Sequence, residues 1–285
     1  MSDSMGAKEE GGLAAPFLEA LHADKPLRVW SLIVTIFGDI VMWQGAEVAP
    51  GPIWVAPLLT LLEMLGVESG LARTSLSRLV ASGVLEREKA GRNTFYRLTP
   101  NSADEFARAA DRIYRDPFPE PADAFDFAIL DRVADRAEVR ARLEAIGFKF
   151  FSPTLALTTS RGQSAPDIAG VLWAKAEPRG ETLAIARELW KIDTLQAAYA
   201  EFVVAFAPYA HAAFTPDEAI VARVVAVHRW RRIALRDPGL PRGALPEEWA
   251  GAVAREVFAT VLAATAAGSE AWLKSRAFRS GRPRP

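Results

Sequence analysis

The sequence predicts an α+β chain built from three successive parts. Near the N-terminus, the sequence predicts two short apolar helices joined by a glycine turn and followed by a basic hairpin. Strands and helices alternate in the middle of the chain, and amphipathic helices fill its last third. Apolar residues recur about every 3.6 residues in the helical segments and about every 2 residues in the strands, and this alternation predicts the fold class. A length of 285 residues fits two or three domains.

Composition excludes several classes of protein. The chain has no cysteine, which excludes disulfides, thiolate metal sites and a cysteine nucleophile. Its net charge is −1, so a nucleic-acid surface must come from local charge asymmetry. Residues 1–12 do not form a secretory signal, and charges or prolines interrupt the apolar runs before they reach the length of a membrane span. We therefore expect a cytoplasmic protein without a membrane segment.

The N-terminal part begins with residues 1–24, which are expected to be a flexible leader. Residues 27–43 follow as a helix, because Ile33, Ile36 and Ile40 recur at helical spacing. A loop rich in proline and glycine at 49–52 then separates this helix from the next elements.

Residues 54–83 predict two helices joined by a tight turn. The first carries leucines on one face and ends at Gly66, and the second runs from about Leu71 to Gly83. The outer face of the second helix presents hydroxyl and guanidinium groups, and its candidate DNA-binding residues are Arg73, Thr74, Ser77 and Arg78. Arg78 can pair bidentately with guanine or hold a phosphate. Arg73 lies closer to the core face, so a structural or phosphate-facing role fits it as well as the recognition of a base does.

Residues 84–98 predict a basic hairpin beside this helix. Its turn lies at 90–93, and the whole segment 54–99 has the pattern of a winged helix-turn-helix, in a domain of residues 25–115. Lys89, Arg92 and Asn93 are expected to contact double-stranded DNA, the two cations by displacing phosphate counterions. The alternative is that the unit only packs or dimerises, and that its polar residues are an ordinary solvated face.

The middle part follows a helix at 103–115 and a proline-rich linker at 116–122. Residues 123–180 predict the order strand, helix, strand, strand, helix, strand, which is the split βαβ of a ferredoxin-like (Cas2-like) domain. The strands are expected at 125–129, 148–151, 155–159 and 171–177, and the helices at 135–146 and 164–170.

The C-terminal part, residues 181–275, is expected to be helical. A capping box at Thr215 opens a helix that runs to about Leu235. The other helices are expected at 188–206 and from Pro246 toward Trp272, and 276–285 is a basic tail.

Together these segments resemble the PaaX-type repressors of phenylacetate catabolism over nearly the whole chain after the leader. The resemblance rests on residues 31–39, 73–79, 91–92, 96–99, 112–114, 227–231, 237–241, 245–246 and 249–251. It implies a dimeric transcriptional repressor that is not an enzyme. Such a repressor binds a double-stranded DNA operator and releases it when an aryl-coenzyme A thioester, typically phenylacetyl-CoA, is bound; no cofactor besides this effector is implied.

The helix opened by Thr215 carries the candidate effector-binding residues. They are Arg223, His228, Trp230, Arg231 and Arg232. Arginines beside aromatic side chains suit a ligand with phosphates and an aryl group. The alternative is that His228 is a structural histidine bonded to the loop at Asp237, and that the arginines form a solvated face.

Two other functions remain open. The middle part shares its predicted fold with Cas2-type nucleases, and Asp126 and Asp131 flank its first strand, so a Mg²⁺-dependent nuclease is the enzymatic alternative. The later strands supply no acidic partner, and the simpler interpretation is that Asp126 faces solvent and Asp131 caps a turn. The third interpretation is a DNA-binding protein without a ligand, whose C-terminal helices only dimerise.

Overall fold

The computed structural model describes residues 12–23, 26–42, 51–114, 124–159, 166–177 and 179–278. Helices and two small antiparallel sheets make up this part of the chain, so the α+β class is confirmed. The contacts divide the chain into two compact units. Unit 1 comprises residues 1–115, 200–235 and 252–285, and unit 2 comprises residues 116–199 and 236–251. The contacts thus group most of the C-terminal third with the N-terminal part, whereas the sequence divides 25–115 from 181–275.

Unit 1 begins with a helix that the sequence did not predict. Helix α1 (Ala14–His22) occupies the second half of the expected flexible leader, and Phe17 and Leu21 on it are buried. The ring centroid of Phe17 lies 5.4–5.9 Å from those of Phe206, Tyr209 and Phe214. The expectation of a flexible leader is therefore wrong for this segment, because its apolar residues pack against partners almost two hundred positions away; residues 1–11 lie outside the described part.

Two helices joined by a glycine turn follow helix α2 (Val29–Met42). Helix α3 (Val55–Met64) is closed by Gly66, whose φ of 76° is the left-handed conformation found after many helices. The amide of Val67 donates to the carbonyl of Leu62 at 2.9 Å, which completes this cap. Helix α4 (Ser69–Ala81) begins directly after the turn. The predicted pair of helices is confirmed, with α4 starting two residues before Leu71.

A small sheet and one further helix complete the N-terminal part of unit 1. Strands β2 (Leu85–Ala90) and β3 (Asn93–Leu98) form a hairpin, and β1 (Ile53–Trp54) pairs with the other edge of β3. Helix α5 (Pro100–Tyr114) starts three residues earlier than the predicted helix at 103–115. The predicted linker at 116–122 lies outside the described residues.

Helix α9 (Pro216–Ala234) forms the centre of unit 1. The predicted capping box is confirmed: Thr215 Oγ1 accepts from the amide of Glu218, and Glu218 Oε2 accepts from the amide of Thr215. Most of its residues are buried around its whole circumference, so α9 packs on every side rather than along one stripe. Glu218 also accepts from the amide of Leu13 at 2.8 Å, which ties the start of α1 to that of α9.

Helix α10 (Gly251–Ser275) packs closely on α9. A methyl group placed on Gly268 would lie 2.6 Å from Cβ of Ala219, so the glycine permits the close approach. The predicted start at Pro246 is wrong, because residues 246–250 are not helical. Among the described helices, α10 alone is long and apolar enough to cross a membrane, a criterion that core helices of soluble proteins also meet and that is weak evidence by itself. Of the expected tail, residues 279–285 lie outside the described part, while Phe278 is buried.

A buried ion pair connects the helices of unit 1. The guanidinium of Arg223 on α9 donates to both carboxylate oxygens of Asp39 on α2, at 2.7 and 2.8 Å. The side chains are 3% and 1% exposed. The hydroxyl of Tyr114 on α5 donates to the same carboxylate at 2.7 Å. Three helices from distant parts of the sequence therefore meet at one carboxylate.

Unit 2 contains a four-stranded antiparallel sheet in the order β5-β6-β4-β7. Its elements are β4 (Phe125–Ile129), α6 (Arg136–Ala145), β5 (Lys149–Phe150), β6 (Leu155–Thr159) and β7 (Leu172–Ala176). Helix α6 packs Val139 and Leu143 into a core that also contains Ala128 and Ala156. The predicted helix at 164–170 is not present in its described part, since residues 166–168 have no regular secondary structure and residues 169–170 form a turn.

Two helices replace the predicted single helix at 188–206. Helix α7 (Glu181–Leu189) ends before Lys191, which has a φ of 51°, and α8 (Ile192–Phe206) starts after it. A positive φ at a residue other than glycine interrupts helical hydrogen bonding. The boundary between the two units falls within α8.

Replacing Asp39 by asparagine tests the buried ion pair. We expect Asp39→Asn to lower the free energy of unfolding by about 3–5 kcal/mol, because Arg223 keeps its charge in a buried position and loses the carboxylate of Asp39. Urea denaturation of the whole chain measures this difference. Glu144→Ala, which removes an exposed ion pair with Arg140 on α6, is the control and should cost less than about 1 kcal/mol. A similarly small loss in Asp39→Asn would contradict the role of the pair.

Replacing Glu218 by glutamine tests the link between α1 and α9. Hydrogen bonds from the amide and hydroxyl of Thr215, and from the amide of Leu13, lower the pKa of Glu218. A lowered pKa in the folded chain means that the carboxylate stabilises the fold at neutral pH and loses this effect as the pH falls through the folded pKa. We expect Glu218→Gln to be less stable by roughly 1 kcal/mol at neutral pH.

Urea denaturation from about pH 7 down to about pH 3.5 measures this effect. The difference between Glu218→Gln and the unaltered chain should narrow as the medium becomes acidic. Glu105→Gln, on an exposed position of α5, is the control. A difference that stays constant over the whole pH range would show that ionised Glu218 does not supply the stabilisation.

Candidate nucleic-acid interface

A glutamate side chain closes the first turn of α4. Glu68 accepts hydrogen bonds from the amides of Gly70 and Leu71 at 2.8 and 3.0 Å, and these two bonds lower its pKa. An acidic group at a helix N-terminus also interacts favourably with the helix dipole. The start of α4 is therefore fixed by its own sequence, and those two amides are satisfied within the protein.

The outer face of α4 brings together all four residues predicted on it. Ala72, Ser75, Leu76 and Leu79 are buried and define the inner face, whereas the exposed residues include Leu71, Arg73, Thr74, Ser77 and Arg78. At about 100° per residue the exposed face spans roughly 160°, with Arg73 at one edge and Leu71 at the other. Thr74, Ser77 and Arg78 lie between these edges.

The hairpin carries exposed cations next to α4. The amide of Val84 donates to the carbonyl of Leu79 at 3.0 Å, so the chain passes from α4 into β2 with one residue, Gly83, in the left-handed conformation. Arg87, Lys89 and Arg92 are exposed on this hairpin. Its strands are paired up to Ala90 and Asn93, which leaves Gly91 and Arg92 as the turn. Asn93 is half-buried at the end of the ladder.

The local charge balance is positive. Between residues 71 and 98 the cations are Arg73, Arg78, Arg87, Lys89, Arg92 and Arg97, and the anions are Glu86 and Glu88. Arg97 forms an exposed ion pair with Glu86 at 2.9 Å across the hairpin, so these two charges largely balance. The excess positive charge of this segment lies on the exposed side of α4 and at the tip of the hairpin, a distribution that attracts polyanions.

The candidate effector residues lie in unit 1, and several are engaged with the N-terminal helices. Arg223 pairs with Asp39, as described above, and Nδ1 of His228 lies 2.8 Å from the hydroxyl of Thr35 on α2. The indole of Trp230 donates to the carbonyl of Ile113 at 3.1 Å and stacks on Phe258. A ligand that reached these three side chains would have to displace such contacts or lie beside them.

Arg231 and Arg232 are less deeply buried than these three. The guanidinium of Arg231 donates to the carbonyl and hydroxyl oxygens of Ser31 at 3.0 and 2.6 Å. Burial, together with the neighbouring Arg232, lowers the pKa of Arg231. Burial and the carboxylate of Asp39 raise the pKa of Tyr114, so this phenol keeps its proton and acts as a donor. Hydrogen bonds and an ion pair thus connect α9 with both α2 and α5.

The acidic residues of the nuclease alternative do not gather into a metal site in the described residues. Asp126 lies within β4 between Thr158 and Lys175 on the neighbouring strands, and Asp131 is exposed in the following turn. Across the described part of the chain, no group of three or more His, Asp or Glu side chains is arranged to hold a metal ion.

Two features of this surface were missed in the sequence. The cap by Glu68 has a recognisable signal, an acidic residue placed directly before the helix. Leu71 was taken only as the start of α4, but its side chain is 49% exposed and shares a face with Thr74 and Arg78. Plotting the sequence at the helical period would have placed it there.

Comparison with known proteins gives matches at both ends of the chain. Residues 28–102 match the family described as PaaX-like protein, and residues 190–275 match the family described as PaaX-like protein C-terminal domain. The relatives include the transcriptional repressor PaaX of Escherichia coli (strain K12), which is 30% identical over 257 residues. That alignment covers 81% of this chain and 78% of the relative. The matched ranges contain α2, the α3–α4 pair and the hairpin at one end, and α8 to α10 at the other.

Proposed function

The chain belongs to the PaaX family of transcriptional repressors, and we propose that it represses by binding double-stranded operator DNA through α4 and the β2–β3 hairpin. The observation that carries this proposal is the exposed, positively charged surface of these two elements in a chain of net charge −1. Cations at such a surface release counterions from the phosphate backbone, which supplies sequence-independent affinity. The same family membership supports a role in regulation and not in catalysis.

The elements from β1 to β3 act as a winged helix-turn-helix. Helices α3 and α4 are joined by the Gly66 turn, and the hairpin follows directly, as this architecture requires. In such units the second helix enters the major groove, and its N-terminal residues contact base edges. Helix α4 is then the recognition helix, with Thr74, Ser77 and Arg78 toward the bases, and Arg73, Lys89, Arg92 and Asn93 nearer the phosphates.

Unit 2 contains a ferredoxin-like sheet. The strand order β5-β6-β4-β7 and the antiparallel pairing support this assignment, since the first strand lies between the third and the fourth strands in chain order. No observation favours a nuclease there, because the described acidic residues do not converge.

An aryl-CoA thioester, such as phenylacetyl-CoA, is the effector. This part of the proposal rests on the resemblance of motifs 227–231, 237–241 and 249–251 to those of PaaX-type repressors. The candidate residues on α9 contact α2 and α5, so a ligand that altered the position of α9 would affect helices connected to the recognition helix. The contacts of α9 with α2 and α5 then transmit effector binding, and the residues involved are Arg223, His228, Trp230, Arg231 and Arg232. The repressor acts as a cytoplasmic homodimer, as palindromic operators usually require.

Substitution of the two arginines separates base recognition from phosphate binding. We expect Arg78→Ala to cost about 1–3 kcal/mol on the operator and to relax specificity at one base pair. Arg92→Ala should weaken binding to operator and random duplexes alike, and it should reduce the slope of log affinity against log salt by about 1. Fluorescence anisotropy with a labelled fragment from upstream of the gene, measured at several salt concentrations, gives both quantities.

Arg142→Ala, exposed on α6, is the matched control and should bind both duplexes like the unaltered chain. The proposed division of roles fails if Arg78→Ala and Arg92→Ala reduce affinity for specific and random duplexes equally. Absence of any duplex binding by the folded chain at moderate salt would refute DNA binding itself.

Phenylacetyl-CoA should both stabilise the protein and release the DNA. A ligand at a hundredfold excess over its Kd, bound only to the folded state, raises the free energy of unfolding by about 2.7 kcal/mol. We therefore expect a higher Tm in a thermal shift assay and loss of the retarded band in a gel shift, with coenzyme A alone as the control. An unchanged Tm with DNA binding intact would favour the interpretation in which the C-terminal helices only dimerise.

A further inference from the structure

The exposed face of the recognition helix contains one large apolar side chain, that of Leu71. It is 49% exposed and lies in the first turn of α4, on the same side as Thr74 and Arg78. Single exposed leucines are ordinary on protein surfaces and by themselves need no explanation. Leu71 differs because of its place on the surface that we propose to face DNA, where the N-terminal turn of such a helix meets base edges.

The polar groups around Leu71 are largely engaged within the protein. The amides of Gly70 and Leu71 donate to the carboxylate of Glu68, so they are not free to bind a phosphate. The hydroxyl of Thr74 donates its hydrogen to the carbonyl of Gly70 at 2.9 Å. What the first turn of α4 can offer to a base edge is therefore mainly apolar surface. The hydrogen-bond donors of this face that lie further along the helix are Arg73, Ser77 and Arg78.

Among the groups that natural bases present in the major groove, the 5-methyl group of thymine is the apolar one. We propose that Leu71 contacts the 5-methyl group of a thymine and so selects a T·A pair at one position of each half-site. This inference rests on the proposed function, since it assumes that α4 lies in the major groove. Arg78 lies on the same face about two turns further along the helix and then recognises a different base pair by hydrogen bonds.

Replacing thymine by deoxyuridine removes this methyl group and nothing else. The probe is a duplex selected from a randomised library with the unaltered chain, in which each thymine in turn is replaced by deoxyuridine. Removing one buried methyl group costs about 0.8 kcal/mol, which is roughly a fourfold loss of affinity. We expect this loss at one thymine of each half-site, measured by fluorescence anisotropy at fixed salt.

For each half-site contact that is lost, Leu71→Ala should bind the selected duplex about fourfold more weakly. This variant should also no longer distinguish thymine from deoxyuridine at the contacted position. Alanine has high helix propensity and Leu71 is half exposed, so the variant should keep the Tm of the unaltered chain. Val204→Ala, which truncates a 77% exposed side chain on α8, is the matched control and should retain the full preference for thymine. Arg78→Ala should bind the selected duplex more weakly but should keep the preference for thymine over deoxyuridine at the position that Leu71 contacts.

The inference is overturned if deoxyuridine is tolerated at every position by the unaltered chain. It is overturned equally if Leu71→Ala keeps the preference for thymine. In both cases specific DNA binding persists, so the proposed function would stand. Failure of the unaltered chain to select any duplex from the library would instead reject the proposed function.

Discussion

The buried bidentate pair between Arg223 and Asp39 is the interaction on which the arrangement of unit 1 depends. Two charges with side chains almost fully removed from water are tolerable only if each compensates the other and if their remaining donors and acceptors are satisfied. Tyr114 supplies one such bond to Asp39. Because the three residues come from α2, α5 and α9, the geometry of the pair sets the mutual position of these helices far more strictly than apolar contacts alone would.

Arginines therefore serve two different purposes in this chain. Those on α9 turn toward other helices, where Arg223 binds Asp39 and Arg231 binds Ser31. Arg78 on α4 and Arg92 on the hairpin, by contrast, stay exposed. A near-neutral total charge hides this separation, because the sum says nothing about where each charge lies.

Several local signals were read correctly from the sequence, although the cap by Glu68 was missed and the helix expected at 164–170 and the helix start expected at Pro246 were wrong. Contacts between residues distant in the chain were not predicted. The Gly66 turn, the hairpin and the capping box at Thr215 are each specified by a few adjacent residues, which is why the α3–α4 pair and the start of α9 were predictable. Helix α1 was missed because Phe17 finds its aromatic partners near residue 210. The contact of His228 with Thr35 and that of Trp230 with Ile113 were missed for the same reason. The break at Lys191 was missed because no glycine or proline marks it in the sequence. At the candidate interface the cations were predictable, whereas the exposure of Leu71 required the packed helix.

The separation of Asp39 and Arg223 along the chain has a consequence for biosynthesis. Their positions are 184 residues apart, so Arg223 leaves the ribosome about 10–40 seconds after Asp39 at ordinary rates of translation. During that interval the nascent N-terminal helices hold a carboxylate whose only buried counter-charge described in unit 1 has not yet been made. Burying an uncompensated carboxylate is costly, so we expect Asp39 to keep its hydration shell during that interval. We therefore expect unit 1, which contains α4 and the hairpin, to complete its packing only after most of the chain has been synthesised.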